Sequence, residues 1–251
     1  LPNQYAEFRR DYGRLAGVET PARPTLSVLV PAYNEKATLE EALARVKASP
    51  VDKEIIVVDD GSTDGTREIL RRLEDGAGEI RVAFHERNAG KGAAIRTAIG
   101  LAGGRIAVVQ DADLEYDPQD CPALVAPILA GGTKVVYGSR PKCRENDYPL
   151  DLFRVGSLLM TVTASLLFTC RLSDEPTCYK VFDMELLKSI NLRSRGFEFC
   201  PEVTAKVRKK GERIVEVPIR YRKRSVEEGK KIKARDLFVG LWTLLKYRFV
   251  D

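Results

Sequence analysis

Four short apolar runs, each closing on a polar loop and each followed by a change of period, constrain this chain more than any other feature. Residues 26–30, 55–58 and 106–109 are rich in Val, Ile and Leu, the composition of buried strands, and 81–84 (RVAF) is apolar after Arg81. Between them, residues 38–48 place Leu39, Ala42, Leu43 and Val46 at helical spacing. Thr38 stands as the expected N-cap, with Glu41 three residues on as its capping-box partner. A second helix is expected to start at Ser62 or Asp64 and reach Leu73, and a third to cover 92–102. Strands alternating with helices of this length predict parallel βαβ units. In open sheets of that kind ligands bind beyond the carboxyl ends of the strands. The loops at 31–35, 59–60 and 111–115 are therefore expected to share one cleft.

Past Asp120 the pattern changes. A strand at 135–137 leads into Gly138-Ser139-Arg140, an apolar helix is expected over 150–168, another helix over 196–210, a strand over 214–221 and a closing helix over 236–249. Residues 1–24 read as a short helical arm and a linker marked by Pro21 and Pro24. The rest, 25–251, is expected to be one domain with halves 25–120 and 121–251. A chain of 251 residues that is 44% hydrophobic can bury a core of that size.

The net charge of +5 is unevenly spread. Arg220, Arg222, Lys223, Arg224, Lys230, Lys231, Lys233 and Arg235 crowd one stretch against Glu227 and Glu228. That stretch carries no recognised nucleic-acid motif, so nucleic-acid binding is not expected. Five cysteines, an odd number without metal-ligand spacing, indicate neither a disulfide framework nor a zinc site and point to a reducing compartment. His85 is the only histidine, and a structural or surface role is expected for it. The longest uncharged run, 155–170, falls short of the roughly 18–20 apolar residues of a spanning helix. The charged stretch from Glu7 to Arg14 does not read as a signal peptide.

The loops carry the chemistry. Asp111-Ala112-Asp113 closes the fourth strand, and Glu115 continues the pattern, so one short loop offers up to three oxygen ligands for a hard divalent cation. A solvated acidic loop has the same composition. After the first strand, VPAYNE offers Tyr33 as a stacking face and Asn34 and Glu35 as polar contacts; a plain βα turn would look alike. After the second, Asp59 and Asp60 could accept from a ribose or a base, while DGSTDG is also a good turn and helix cap. In NAGKGAAI, Lys91 sits at a helix N-terminus, a common anion site, without the spacing of a Walker loop.

In combination and order, SVLVPAYNE, IIVVDDGSTDGT, NAGKGAAI, QDADLEYDP, VYGSR and VPIRYRKRSVEEGKKI resemble the family 2 glycosyltransferases. More narrowly they resemble the dolichol-phosphate mannose and glucose synthase group with its polyprenyl-phosphate relatives. The resemblance runs from about Leu26 to Phe249. It implies an α/β fold of the GT-A, Rossmann-like kind: a mostly parallel sheet flanked by helices, with C-terminal amphipathic interface helices. It implies that Pro31, Tyr33, Glu35, Asp59, Asp60, Lys91, Asp111 and Ala112 hold the donor nucleotide. Asp111, Asp113 and Glu115, the last where relatives often have Gln, would hold Mg²⁺ or Mn²⁺. Asp113, Arg140 and Arg224 would be catalytic. Arg140, Arg154, Ser157 and Lys231 would hold the acceptor phosphate, although relatives carry Ser-Lys where this chain has Lys230-Lys231. Asp174, Glu198 and Glu202 fall near the acceptor in relatives; none is expected to be a base, and Glu202 could orient an arginine or form a salt bridge.

The implied reaction moves a hexose, mannose or glucose, with inversion from GDP-mannose or UDP-glucose to a polyprenyl or dolichyl phosphate. A phosphate monoester is largely dianionic at pH 7, its second pKa being about 6, so no strong base is required. The apolar stretches 155–170 and 236–249 and the basic cluster are then expected at a membrane interface, with the protein peripheral on the cytoplasmic face. Buried helices and a solvated basic face are the plainer alternative. A soluble-acceptor transferase and a non-catalytic nucleotide-sugar-binding subunit are the competing functions.

Overall fold

A computed structural model describes residues 24–74, 80–146, 151–224 and 231–250. The expected arm at 1–24, apart from Pro24, and Glu227, Glu228 and Lys230 of the basic cluster lie outside the described residues. Seven strands form one sheet: β1 (Leu26–Ala32), β2 (Lys53–Asp59), β3 (Ile80–Phe84), β4 (Ile106–Val109), β5 (Val135–Ser139), β6 (Lys180–Asp183) and β7 (Ile214–Pro218). Their order is β3-β2-β1-β4-β6-β5-β7. All pairings are parallel except those of β6, which runs antiparallel to both β4 and β5.

The apolar runs do what their composition dictates. Ile55, Ile56, Val57 and Val58 are wholly buried, as are the four residues of β4, because helices cover both faces of the sheet. These helices are α1 (Leu39–Lys47), α2 (Thr66–Leu73), α3 (Lys91–Leu101), α4 (Cys121–Leu129), α5 (Leu152–Leu167), α6 (Met184–Lys188), α7 (Phe199–Lys209) and α8 (Ala234–Phe249). In α1 the buried residues are Leu39, Ala42, Leu43 and Val46, the four that set its period. A separate apolar cluster of Met160, Ala164, Phe168, Ala205, Leu244 and Tyr247 joins α5, α7 and α8.

Two local expectations are corrected. Thr38 makes no capping bond to α1; its hydroxyl turns back to the Glu35 carboxylate at 3.0 Å, and Glu41 pairs instead with Arg45 one turn on. The capping box fails because both partners have nearer charged or polar neighbours. The helix expected from Ser62 or Asp64 begins at Thr66, where Asp64 accepts the Thr66 amide at 2.9 Å.

β1, β2 and β4 are adjacent and in register, Ala32 opposite Asp59 and Leu29 opposite Val109. Their carboxyl ends therefore open at one edge of the sheet. The segment that follows β7 crosses that edge, pairing Tyr221 with Tyr116 in an antiparallel bridge.

Candidate active site

The three expected loops meet at this edge and are laced together. The Asn34 amide donates to Ser62 Oγ and the Thr63 amide to Asn34 Oδ1, each at 2.9 Å, while the Glu35 amide donates to Thr66 Oγ1 at 2.9 Å. Asn34 adopts φ 51°, a left-handed conformation that Asn tolerates better than most residues. Pro31, Tyr33 and Glu35 are left half-buried on the cleft wall.

Asp59 and Asp60 are buried, and their oxygens hold the loops. Asp59 accepts two bonds from Arg67, at 2.9 and 2.8 Å, and one from the Ser62 amide. Asp60 accepts from His85 Nδ1 at 2.7 Å and from the Ala89 and Gly90 amides at 3.0 and 2.7 Å. His85 passes on through Nε2 to Thr97 at 2.9 Å, so the lone histidine ties the second loop to α3. The start of α3 is thus already supplied with acceptors: Asp60 takes two amides ahead of it, and the Arg195 carbonyl takes the Ala93 amide at 3.0 Å. The Asp60 carboxylate stands immediately ahead of the helix N-terminus at which an anion is expected. Gly90 and Gly92 let the backbones touch here; a Cβ at Gly92 would lie 2.7 Å from the Ser194 carbonyl oxygen.

Lys91 reaches across to Asp111, 2.6 and 2.8 Å from its two oxygens. Burial alone would lower the Lys91 pKa, but the charge and hydrogen bond of Asp111, together with the Cys178 and Cys200 sulfurs, outweigh it and hold the ammonium above its ordinary range. Ala112 is buried, so its side chain belongs to the core. Asp113 is nearly buried beside Asp111 and Glu115; burial first, then those two charges, raise its pKa to about 7 against the opposing pull of Arg224.

The segment after β7 supplies the cations. The Arg222 amide donates to the Glu115 carbonyl at 2.8 Å and the Arg224 amide to Glu115 Oε1 at 2.9 Å. The Arg224 guanidinium then reaches Asp113 at 3.1 Å and Glu35 at 3.4 Å. Lys231 pairs with Glu35 at 2.7 Å and also donates to the Tyr33 carbonyl. Among the described residues, no three carboxylate, thiol or imidazole groups converge as a metal cluster. Asp111 and Asp113 nevertheless suit Mg²⁺ or Mn²⁺: they are hard oxygen donors, and such ions take one or two carboxylates with phosphate oxygens and water completing the shell. Glu115 already has one oxygen on the Arg224 amide.

On the other flank, Arg140 closes β5. Its Nε and Nη2 donate to the two oxygens of Asp174, both at 2.7 Å, its amide donates to the same carboxylate at 3.0 Å, and its guanidinium stacks 5.0 Å from the Tyr221 ring. Asp174 is therefore the acid that orients an arginine, and of the two roles open to Glu202 the structure shows the salt bridge. Glu202 receives Lys206 at 2.7 Å and the Arg193 and Ser194 amides. Burial would raise its pKa, but these bonds prevail and lower it. Glu198 accepts the Arg195 and Gly196 amides. Arg154 and Ser157 lie half-buried on the first turns of α5, whose N-cap Asp151 accepts the Arg154 amide at 2.8 Å. Asn146 binds the Arg140 and Ile219 carbonyls and the Tyr221 amide, joining this flank to the crossing segment. His85 as partner of Asp60, and Asn146, carry no sequence signal, because each acts through a contact distant in the chain; Arg67 pairs locally with Asp59 across one turn.

Comparison with known proteins agrees with this architecture. Residues 27–190 match the sequence pattern described as Glycosyl transferase family 2. A UDP-N-acetylglucosamine–dolichyl-phosphate N-acetylglucosaminyltransferase of Methanococcus voltae is 29% identical over 225 residues, covering 82% of this chain and 89% of that protein. An uncharacterised protein of Methanocaldococcus jannaschii is 32% identical over 214 residues, covering 82% and 85%. In fold, the chain is similar to glucosyl-3-phosphoglycerate synthase of Mycobacterium tuberculosis, crystallised with Mn²⁺, UDP and phosphoglyceric acid: TM-score 0.70 at 24% identity, covering 97% of this chain and 83% of that one. The family pattern spans all three loops of this edge, Arg140 and Asp174, and the chain belongs to glycosyl transferase family 2 as a GT-A-type glycosyltransferase.

Proposed function

We propose that this glycosyltransferase moves a hexose from a UDP- or GDP-sugar to a polyprenyl phosphate at a membrane surface. The observation that carries the reading is the apolar face of α5 and α8. Leu152, Leu166, Phe238, Trp242 and Phe249 are 83%, 76%, 71%, 65% and 79% exposed. Exposed apolar surface on this scale marks an interaction site. It lies on the helix that also carries Arg154, and α8 brings Lys233, Arg235, Lys246 and Arg248 beside it, the pairing of apolar and basic residues that suits an anionic bilayer surface. No helix among the described residues is long and apolar enough to cross a membrane.

In the chemistry that fits these residues, an acceptor phosphate oxygen attacks the anomeric carbon. The bond from that carbon to the diphosphate breaks, and its electron pair leaves with the diphosphate. The acceptor dianion needs no proton removed. Arg140, its Nε and Nη2 held by Asp174, brings its fixed positive charge to the acceptor phosphate, with Arg154 and Ser157 on α5. Arg224 and Lys231, drawn to Asp113 and Glu35, are placed to meet the leaving diphosphate. Tyr33 offers a face to the nucleoside, while Asp59 and Asp60 fix the loops around it. Mg²⁺ or Mn²⁺ on Asp111 and Asp113 would supply Lewis-acid charge to the diphosphate.

A soluble phosphorylated acceptor would satisfy Arg140 equally well; the exposed apolar face beside it supports the lipid. The test incubates the purified protein with Mn²⁺, radiolabelled UDP- and GDP-hexoses, and either undecaprenyl phosphate or 3-phosphoglycerate. Label entering the organic phase only with the lipid supports the reading. Label transferred only to phosphoglycerate overturns it.

A further inference from the structure

One carboxylate bridges the two halves of the site. Asp151 caps α5: its Oδ1 accepts the Arg154 amide at 2.8 Å and so fixes the turn that carries Arg154. Its Oδ2 pairs with Lys223. Lys223 adjoins Arg224, whose guanidinium lies on Asp113 and Glu35 and whose amide lies on Glu115. The Lys223 ammonium also lies 5.6 Å from the ring of Phe153, a residue of the exposed apolar side of α5. Both partners of the ion pair are about one-third exposed, 31% and 30%, so its strength is modest and adjustable.

We propose that Asp151 is a positioning residue that couples the acceptor flank to the donor flank. A lipid phosphate bound by Arg154 and Ser157 orders the first turn of α5, and with it the Asp151 carboxylate that caps that turn. Asp151 then holds Lys223, and the neighbouring Arg224 is kept over the diphosphate side. Acceptor and diphosphate each tighten the other's binding, as reciprocal linkage requires. The inference rests on the polyprenyl-phosphate reading of the site.

Two variants separate the cap from the bridge. Asp151→Asn keeps a good N-cap, since Asn and Asp cap about equally well, but removes the charge facing Lys223. Lys223→Met removes the other partner and leaves the cap intact. Calorimetry with the full chain measures binding of UDP and of GDP with Mn²⁺, with and without undecaprenyl phosphate in detergent micelles. In the native chain the lipid is expected to tighten the accepted diphosphate by about two- to fivefold, the range of a part-exposed ion pair. In both variants that ratio falls to about one, and the double variant is no worse than either single one. Affinity without lipid and melting temperature stay at native values, which a merely structural role for Asp151 would not allow. A native ratio of one, or variants that keep the native ratio, overturns the coupling. Sugar transfer by the same preparations tells the two readings apart. A native chain that transfers nothing to the lipid phosphate removes the polyprenyl-phosphate reading and the coupling with it. Transfer with an unaltered ratio in the variants removes the coupling alone.

Discussion

At the scale of single residues, charge placement governs this site. Asp113 is the clearest case, because burial and two neighbouring carboxylates push its pKa to about 7 from an unfolded value near 3.8. A carboxyl raised on folding is no burden at low pH, where both states are protonated. As pH rises from about 4 to 7 the unfolded chain releases this proton and the folded chain does not, so stability falls, and above 7 the loss is constant. In EDTA, Asp113→Asn is therefore expected to melt above the native chain by at least about 2 °C at pH 8 and to match it near pH 4. Scanning calorimetry at the two values checks the sign; an equal gain at both would contradict it. Arg140 makes the second case. With its fork held by Asp174 at two 2.7 Å contacts, Asp174→Ala leaves a buried guanidinium without its counter-ion, a loss of about 3–5 kcal/mol in interaction. The expected kinetic result is a fall of about two orders of magnitude in kcat/KM for the acceptor, with the donor KM within about threefold of native. Equal damage to both substrates would argue that Asp174 supports the fold rather than Arg140.

At the scale of elements, local pattern and distant contact divide what the sequence displays from what it conceals. β1, β2 and β4 were readable because strands buried on both faces are uniformly apolar, and α1 because its four buried residues keep the helical period. β6 was missed. It is four residues long, its lysine and aspartate break the apolar run, and its antiparallel seat between β4 and β5 follows from tertiary pairing alone. The acidic loop and the basic segment were visible as motifs, yet their meeting through Glu115 and Arg224, 109 residues apart, was not. The same holds for Asp60, legible as a polar contact but folded as the acceptor for His85 and two amides. Two predictions belong here. Gly92→Ala drives a methyl toward the Ser194 carbonyl and should destabilise the protein by about 1–3 kcal/mol in urea unfolding. Trp242→Glu with Phe238→Glu changes two exposed positions on α8, so stability should stay within about 0.5 kcal/mol per site. Sedimentation with phosphatidylglycerol vesicles should show the native chain bound and this variant free. Unchanged vesicle binding would remove α8 from the membrane face.

At the scale of the molecule, a sheet with β1, β2 and β4 in register gathers the donor-side loops at one edge, and the segment after β7 lays its cations across them. β5 ends beside that segment and delivers Arg140, while α5 and α8 pack together on an apolar cluster of their own and leave their outer face bare. The fold thus sets a polar, charged cleft next to the Arg140–Asp174 pair and an exposed apolar surface, the order of parts that the proposed sugar nucleotide and lipid phosphate would require. The most direct measurement is competition in one vessel. The native protein, Mn²⁺ and its preferred sugar nucleotide are given undecaprenyl phosphate and 3-phosphoglycerate at equal concentration, and the products are identified by mass spectrometry. The account predicts a hexosyl phosphodiester of the lipid as the main product; hexose found on phosphoglycerate with the lipid unchanged would contradict it.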